Sequence, residues 1–266
     1  MVSFYSKGRF ANFHFIAAAA YVYSLKHGLE FHVPDKSNEP HLWPVYLQEF
    51  SHPNWNPSLL TVEVNDGRHS FVDLPFKEEW RDKNIIIGTR SVETGYFQSY
   101  KYMQGYEKEI VSLFQLFNTP TPNVCALHFR GGDYVAMPDR HPVITSGYIR
   151  KAIYTVLKET ACDKFVVYTD DLNTCIPVIK EAIKGVENIL DVVIKLTGDE
   201  ISNFKDIHAS QYIITANSSY SVLAAILNTY KNSLVVCPHE NNYFGPMNKH
   251  LDVSTLYPPE WIRIKY

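Results

Sequence analysis

The sequence predicts an α/β protein with mostly parallel sheets, divided into two domains. Three observations support this prediction. Short apolar runs alternate with helix-length amphipathic segments along residues 124–237, a pattern typical of βαβ units. Apolar residues make up 45% of the 266 residues, which is enough for a substantial core. A Thr-Pro-Thr-Pro stretch at residues 119–122 is the best break point in the chain. We therefore predict two domains, residues 1–118 and residues 119–266.

The first half opens with a predicted strand–helix–strand unit. Residues 2–5 and 30–33 are short apolar strand candidates. Between them, residues 12–26 are rich in alanine and aromatic side chains and predict a buried helix. Gly28 follows this helix and is a natural helix stop, because glycine adopts the left-handed conformation without a steric penalty.

The rest of the first half is patterned less regularly. Residues 34–84 are rich in Pro, Asn, His and Trp, and we expect a lid or loop region with short strands and a small helix. Residues 85–87 predict a buried strand. Residues 100–117 predict a helix, because their apolar side chains recur at the helical spacing.

The second half alternates regularly between strands and helices, which predicts a parallel sheet. The predicted strands are residues 124–129, 164–169, 191–195, 211–215 and 233–237. The predicted helices are residues 146–159, 173–184, 200–210 and 219–228.

Polar clusters follow four of these strands, at residues 128–134, 170–171, 215–221 and 238–240. The carboxyl ends of parallel strands share one edge of a sheet, where ligands bind in open α/β folds. Arg130 suits phosphate because its guanidinium donates two parallel hydrogen bonds. Two plainer interpretations stay open on the residues alone. Arg130 and Asp133 could form a structural ion pair beside a tight turn, and Asn217 and its neighbouring serines could be ordinary helix N-caps.

Charge and cysteine content narrow the class of protein. The net charge of −3 and the pI near 6.4 argue against a nucleic-acid binder. The four cysteines form no CxxC pair, so we expect reduced core residues.

We expect a cytoplasmic protein without a transmembrane segment, because the longest apolar run, residues 13–25, is too short to span a bilayer. Peripheral membrane contact stays open.

Six motifs in order resemble glycosyltransferase family 11, the α-1,2-fucosyltransferases. Residues 128–134 (HFRGGDY) match the family pattern H-x-R-R-G-D-Y, and Asp170 and Asp171 match its S-D-D. Asp206 with Gln211 and residues 217–221 (NSSYS) follow in the family's order. In the first half, residues 8–12 echo a glycine-rich turn, and residues 95–102 (GYFQSYKY) match G-Y-F-Q-S-x-K-Y.

The resemblance implies a GT-B fold of two Rossmann-like halves with parallel sheets and the active site in the cleft between them. The first half would be the acceptor side and the second half would bind the nucleotide sugar. It implies an inverting transfer of fucose from GDP-fucose to a glycan hydroxyl in α-1,2 linkage. No metal or other cofactor is implied, because basic side chains and helix ends would handle the diphosphate.

The resemblance also implies roles for individual residues. Arg130 would neutralise the β-phosphate of the departing GDP, and Asp133 would fix Arg130 or act as the general base, with Asp139 as the runner-up. The implied donor-binding residues are His128, Gly132, Asp170, Asp171, Asn217, Ser218, Ser219 and Ser221. The residues implied to border the cleft or acceptor are Gly8, Arg9, Asn12, Tyr96 and Gln98.

The sequence departs from the family pattern at two places. Gly131 stands where the family has a second arginine, and residues 222–226 (VLAAI) replace a tryptophan-rich block. Two alternatives to fucosyl transfer therefore stay open. One is a transferase of the same fold that uses another nucleotide sugar, and the other is a nucleotide- or glycan-binding protein without turnover.

Overall fold

The computed structural model describes residues 1–5, 7–33, 61–66, 70–88, 95–188, 190–196, 199–228, 230 and 232–266. The chain divides into two compact units. The first comprises Met1–Leu116 and Asp252–Leu256, and the second comprises Phe117–Leu251 and Tyr257–Tyr266. The sequence placed the division at residues 118/119 and assigned residues 252–256 to the second half. No helix among the described residues is both long and apolar enough to cross a bilayer.

The first unit is a small parallel sheet with helices. Its strands are β1 (Val2–Phe4), β2 (Thr61–Val64) and β3 (Asn84–Ile87), in the spatial order β1-β3-β2. Both pairings are parallel. Its α-helices are α1 (Phe10–His27) and α2 (Glu107–Leu113), and short 3-10 helices span Glu78–Trp80 and Tyr100–Tyr102.

The predicted strand at residues 30–33 is wrong. Val2 donates its N–H to the Glu30 carbonyl and accepts from the His32 N–H, but only an isolated bridge with Phe31 results. Pro34, the residue that would donate the next N–H from this segment, has none, so a longer ladder would lack one hydrogen bond. Residues 34–60, which we expected to be a lid or loop, lie outside the described residues.

The predicted helix at residues 100–117 is also wrong as a single element. A 3-10 turn and a separate helix, α2, replace it. Gly105 lies between them with φ 84°, a left-handed conformation that a right-handed helix cannot include. By contrast, Gly28 ends α1 with φ 61°, as expected of a helix-stop glycine.

The second unit follows the predicted alternation closely. Its strands are β4 (Thr121–Phe129), β5 (Lys164–Thr169), β6 (Asp191–Leu196), β7 (Ser210–Ile214), β8 (Leu234–Pro238) and β9 (Ile262–Ile264). Its helices are α3 (Gly132–Ala136), α4 (Ser146–Glu159), α5 (Leu172–Ala182), α6 (Glu200–Ala209) and α7 (Ser219–Ile226). The short helix α3 and the strand β9 were not predicted.

The sheet of the second unit has one point where the direction of winding reverses. The strand order is β6-β5-β4-β7-β8-β9, and every pairing is parallel. From β4 the chain builds outward through β5 to β6, then returns to the other side of β4 and builds outward from β7 to β9. The carboxyl ends of β4 and β7 therefore form a topological switch point, where open α/β sheets bind ligands.

The core beneath this edge is tightly buried. Leu127 and Phe129 of β4 pack with Phe165 of β5 and with Tyr148 and Ile149 of α4, all almost completely shielded from solvent. The Tyr148 hydroxyl donates to the Thr215 carbonyl at 2.7 Å, just beyond the end of β7. Burial on this scale stabilises the strands by about 1.5–3 kcal/mol per large side chain. The loops at the switch point are thus mounted on a rigid sheet.

Candidate functional site

Arg130 lies one residue beyond β4 and is held between two carboxylates. Its Nη2 donates to Asp133 Oδ1 at 2.6 Å, and its Nη1 pairs with Asp170 Oδ2 at 2.8 Å. The strand register explains the second pair, because Phe129 stands beside Thr169 and so Arg130 follows opposite Asp170. Nearby carboxylates raise the pKa of Arg130, although burial acts the other way. The predicted Arg130 and Asp133 are thus brought together with Asp170.

Gly131 and Gly132 wrap closely around the two aspartates. The Gly131 N–H donates to Asp170 Oδ1 at 2.9 Å. A Cβ at position 131 would lie 2.6 Å from the Asp171 Cβ, and one at position 132 would lie 2.5 Å from Asp170 Oδ2. Gly132 also has a left-handed φ of 36°. Position 131 therefore has no room for a side chain in this turn, which gives a local packing reason for the departure from the family pattern.

Asp171 serves as the N-cap of α5. Its Oδ1 accepts from the Thr174 N–H at 3.1 Å and its Oδ2 accepts from the Thr174 hydroxyl at 2.6 Å. These hydrogen bonds lower the pKa of the Asp171 carboxyl. The sequence assigned Asp171 to donor binding, and the structure gives it a helix-capping role in addition.

Helix α7 follows β7, the neighbour of the strand that leads to Arg130, and the first turn of α7 carries backbone N–H groups. Ser218 is the N-cap residue of α7, yet its side chain makes no capping hydrogen bond. Its hydroxyl therefore does not satisfy the first-turn N–H groups, which together with the helix dipole favour an anion. Ser218 is buried and Ser219 is partly exposed at the same end of the helix.

His128 and Ser221 meet across the switch point. His128 Nδ1 lies 3.0 Å from Ser221 Oγ, which joins the end of β4 to the first turn of α7. Burial, reinforced by the charge of Arg130, lowers the pKa of His128 to about 3, so the ring is neutral at physiological pH. The Tyr220 ring lies 5.2 Å away, centroid to centroid.

Asn217 braces the loops around the site. Its Nδ2 donates to the carbonyls of Pro142 at 2.8 Å and Tyr243 at 3.0 Å. Its own carbonyl accepts from the Tyr134 hydroxyl at 3.2 Å. Sequence reasoning assigned no role to Tyr134, whose ring lies 5.6 Å from the Arg130 guanidinium carbon and helps to hold it. Its position within the HFRGGDY motif was the only signal.

The first unit gathers a second polar cluster at the carboxyl edge of its own sheet. Gln98 Nε2 donates to Asn12 Oδ1 at 2.6 Å. A Cβ at Gly8 would lie 2.7 Å from the Asn12 Cβ and 3.1 Å from Tyr96 Cε1. Four of the five predicted cleft residues therefore lie together. The fifth, Arg9, is exposed at the start of α1 and does not cap that helix with its side chain.

Asp66, just beyond β2, is a buried carboxylate that sequence reasoning missed. Its Oδ2 accepts from the Phe97 N–H at 2.9 Å, and its Oδ1 is buried without a hydrogen-bond partner among the described residues. Burial raises the pKa of Asp66 to about 6, against the opposing effects of Phe97 and Lys7. It lies in the weakly patterned stretch of residues 34–84, where only its acidic character could have singled it out.

Within the described residues, no three His, Cys, Asp or Glu side chains are grouped so as to hold a metal ion. The tandem Asp170 and Asp171 are instead used by Arg130, Gly131 and Thr174. The second unit thus offers a partly neutralised guanidinium, a neutral imidazole and a helix amino end along one sheet edge. This combination suits an anionic ligand such as a diphosphate.

Comparisons with known proteins identify a family for this chain. The family model Glycosyl transferase family 11 matches residues 108–265. The O-antigen biosynthesis glycosyltransferase WbnK of Escherichia coli is 27% identical over 196 residues, an alignment that covers 64% of this chain and 59% of the relative. The chain thus spans less than two thirds of that relative's length.

Solved structures with similar architecture have low sequence identity to this chain. The E. coli heptosyltransferase WaaC with ADP has a TM-score of 0.49 and 11% identity, covering 99% of this chain and 92% of that one. POFUT1 in complex with GDP has a TM-score of 0.44 and 14% identity, covering 85% of this chain and 93% of that one.

Proposed function

Because the chain belongs to glycosyl transferase family 11, we propose that it is an inverting glycosyltransferase that moves fucose from GDP-fucose to a hydroxyl of a glycan acceptor in α-1,2 linkage. The observation that carries the proposal is the switch point of the second unit. There Arg130 and the amino end of α7 follow neighbouring strands. The choice of GDP-fucose and of the linkage rests on the motif resemblance.

Arg130 stabilises the leaving diphosphate. As the bond between the anomeric carbon and the β-phosphate oxygen breaks, its electron pair and negative charge pass to GDP. A guanidinium has five N–H donors, and the pairs with Asp133 and Asp170 use Nη2 and Nη1 once each. The remaining donors are available to phosphate oxygens, and stabilisation of charge that develops in the transition state accelerates the reaction. We propose that no metal takes part.

The aspartates around Arg130 position it. The ion pair with Arg130 occupies Oδ1 of Asp133, at 2.6 Å from the guanidinium. Of the two roles predicted for Asp133, the pair thus favours fixing Arg130 over acting as the base. Asp139 is an exposed carboxylate in the same unit and remains the runner-up for the base.

Each Asp170 oxygen has one partner, so a lone pair remains for guanine N1–H or N2–H.

The polar cluster of the first unit is the proposed acceptor side. Asn12 is partly exposed and is held by the buried Gln98 amide, and the partly exposed Tyr96 ring, with Lys7 Nζ over it at 4.8 Å, adds an aromatic surface and a cation for a sugar. The acceptor hydroxyl oxygen forms the new bond to the anomeric carbon on the face opposite the leaving group, and its proton passes to the base.

A second candidate is a transferase of the same family that uses another nucleotide sugar. The tight packing of Gly131 on Asp171 favours it, because the turn leaves no room for the family's second arginine. The site then has one positive charge fewer for the diphosphate, and donor preference can differ.

The test replaces Arg130 with alanine and follows transfer from GDP-fucose to lactose by mass spectrometry. Arg130→Ala should lower kcat about 100- to 1,000-fold, as loss of a transition-state charge partner does. Arg130→Lys should recover only part of the rate, because an ammonium cannot donate the same two parallel bonds. Arg81→Ala is the matched control, since Arg81 is an exposed arginine paired with Glu78. A folded Arg130→Ala protein with wild-type turnover would contradict the assignment.

A further inference from the structure

His128 and Ser221 form a buried polar pair at the switch point. His128 is 3% exposed and Ser221 is completely buried. The resemblance implied that Ser221 donates to phosphate or sugar oxygens, but the Ser221 side chain has no exposed surface and its hydroxyl contacts neighbouring residues. The contact that Ser221 does make is with His128 Nδ1, at 3.0 Å. The partners of the Ser221 hydroxyl therefore decide what His128 can do.

The hydrogen bonds of Ser221 favour one direction of donation. Its Oγ accepts from the Ala216 N–H at 3.2 Å. Its single proton can go to His128 Nδ1 at 3.0 Å or to the Ser218 carbonyl at 3.4 Å. The shorter contact is the stronger hydrogen bond. When Ser221 donates to Nδ1, that nitrogen is an acceptor and the ring proton must lie on Nε2.

The surroundings keep this imidazole uncharged. Arg130, two residues further along the chain, is the positive group that faces the ring, and burial disfavours a second charge there. The Tyr220 ring of α7 packs against the imidazole, with 5.2 Å between ring centroids. Nε2 makes no hydrogen bond to any described residue and, unlike Ser221, is not fully buried. A neutral ring with a proton on Nε2 therefore offers one donor close to Arg130.

We propose that Ser221 is a positioning residue that holds His128 as the neutral Nε2–H tautomer, so that Nε2 donates a hydrogen bond to an oxygen of a bound nucleoside diphosphate. This inference rests on the proposed function for the nature of the ligand. His128 donates a directed hydrogen bond to the diphosphate, and Arg130 contributes the positive charge. In the ligand-free protein the imidazole stays uncharged between about pH 5 and 8.

The test observes the histidine nitrogens of the full-length protein by ¹⁵N NMR, with the His128 signals assigned by His128→Gln. The wild type should show a protonated Nε2 and an unprotonated Nδ1, unchanged from pH 5 to 8. GDP should shift the Nε2 signal. Ser221→Ala should mix the two tautomers and weaken GDP binding about 3- to 10-fold, since one neutral hydrogen bond is misdirected. Ser3→Ala is the matched control, because Ser3 is also a buried serine and its hydroxyl has no partner among the described residues.

Several results would overturn the proposal: a proton on Nδ1, an imidazolium at pH 7, a His128 signal indifferent to GDP, UDP and ADP alike, or a folded Ser221→Ala protein with unchanged tautomer and nucleotide affinity. If Ser221→Ala does not fold, the wild-type spectrum with and without GDP decides. Failure of the proposed function gives a different result. In that case the tautomer and the GDP effect are seen, but the wild type transfers no fucose.

Discussion

Arg130 is the residue on which the proposed chemistry depends, and its two ion pairs show what keeps the guanidinium in place. Two carboxylates hold the guanidinium before any ligand arrives. They reduce the entropy lost when a diphosphate binds, and they leave donors unused. Arg130, Asp133 and Asp170 together carry one negative charge in excess of the positive charge. A diphosphate that binds at this position must therefore compete with the two carboxylates for the Arg130 guanidinium.

Asp66 gives a prediction for stability at the scale of one residue. Burial raises its pKa from 3.8 to about 6, so the folded state binds a proton more tightly than the unfolded state does. The ionised carboxylate therefore destabilises the first unit above pH 6, by about 2–3 kcal/mol. This destabilisation disappears as the pH falls from 6 towards 4. Asp66→Asn should raise the unfolding temperature at pH 7.5, and the gain should fall to about a third of that value near pH 4.5.

Thermal unfolding at both pH values checks the Asp66 prediction. Asp73→Asn is the control, because Asp73 is an exposed aspartate of the same unit and its replacement should change little. A gain that is equal at pH 7.5 and pH 4.5, or no gain at all, would show that the buried charge is not the cause.

The sequence predicted Arg130 and Asp133 as partners but not the pair of Arg130 with Asp170. The first pair is local, three residues apart, and follows from the turn. The second joins residues that are brought together only by the parallel register of β4 and β5, in which Phe129 stands beside Thr169. Asp66 was missed for a similar reason, because its burial and its bond to Phe97 depend on tertiary contacts.

At the scale of elements, the turn from β4 into α3 packs directly on the turn from β5 into α5. Gly131 forms the contact, because an added Cβ would lie 2.6 Å from the Asp171 Cβ and 2.9 Å from Asp171 Oδ2. Asp171 cannot easily move aside, since it caps α5 through Thr174. The close packing of these two turns therefore gives a reason why position 131 holds glycine and not the family's second arginine.

Gly131→Ala should destabilise the second unit by about 1–3 kcal/mol, the usual cost of overpacking. Gly131→Arg should not raise transferase activity, although it restores the family residue. Gly147→Ala is the control, because its Cβ would meet only Thr145 Oγ1, at an ordinary 3.7 Å. Denaturant unfolding and GDP-fucose turnover measure the two effects. A Gly131→Arg protein with wild-type stability and higher turnover would show that the turn tolerates the side chain.

Elements with strong local patterns were predicted well. Helix α4 and strand β5 have the predicted bounds, since each combines a regular apolar period with clear ends. The β9 strand was missed because it is short and only partly buried, so its sequence carries little periodicity. The predicted helix at residues 100–117 failed because apolar spacing continued across Gly105, where the backbone turns left-handed.

At the scale of the whole molecule, the strand order explains why the polar clusters meet. The four predicted clusters follow β5, β4, β7 and β8, which are consecutive strands in the sheet. The sequence predicted a shared edge but could not order the strands, because pairing between distant strands is not encoded locally. The reversal between β4 and β7 brings His128 and Ser221 together at the position where such sheets bind ligands.

Thermal unfolding with a panel of nucleotides tests the central claim, that this edge of the second unit binds the GDP part of a nucleotide sugar. GDP at about 100 times its Kd should raise the unfolding temperature by about 5 °C. UDP and ADP should leave it nearly unchanged, and Arg130→Ala should remove most of the GDP effect. Stabilisation by UDP or ADP in place of GDP, or by no nucleotide at all, would contradict the account.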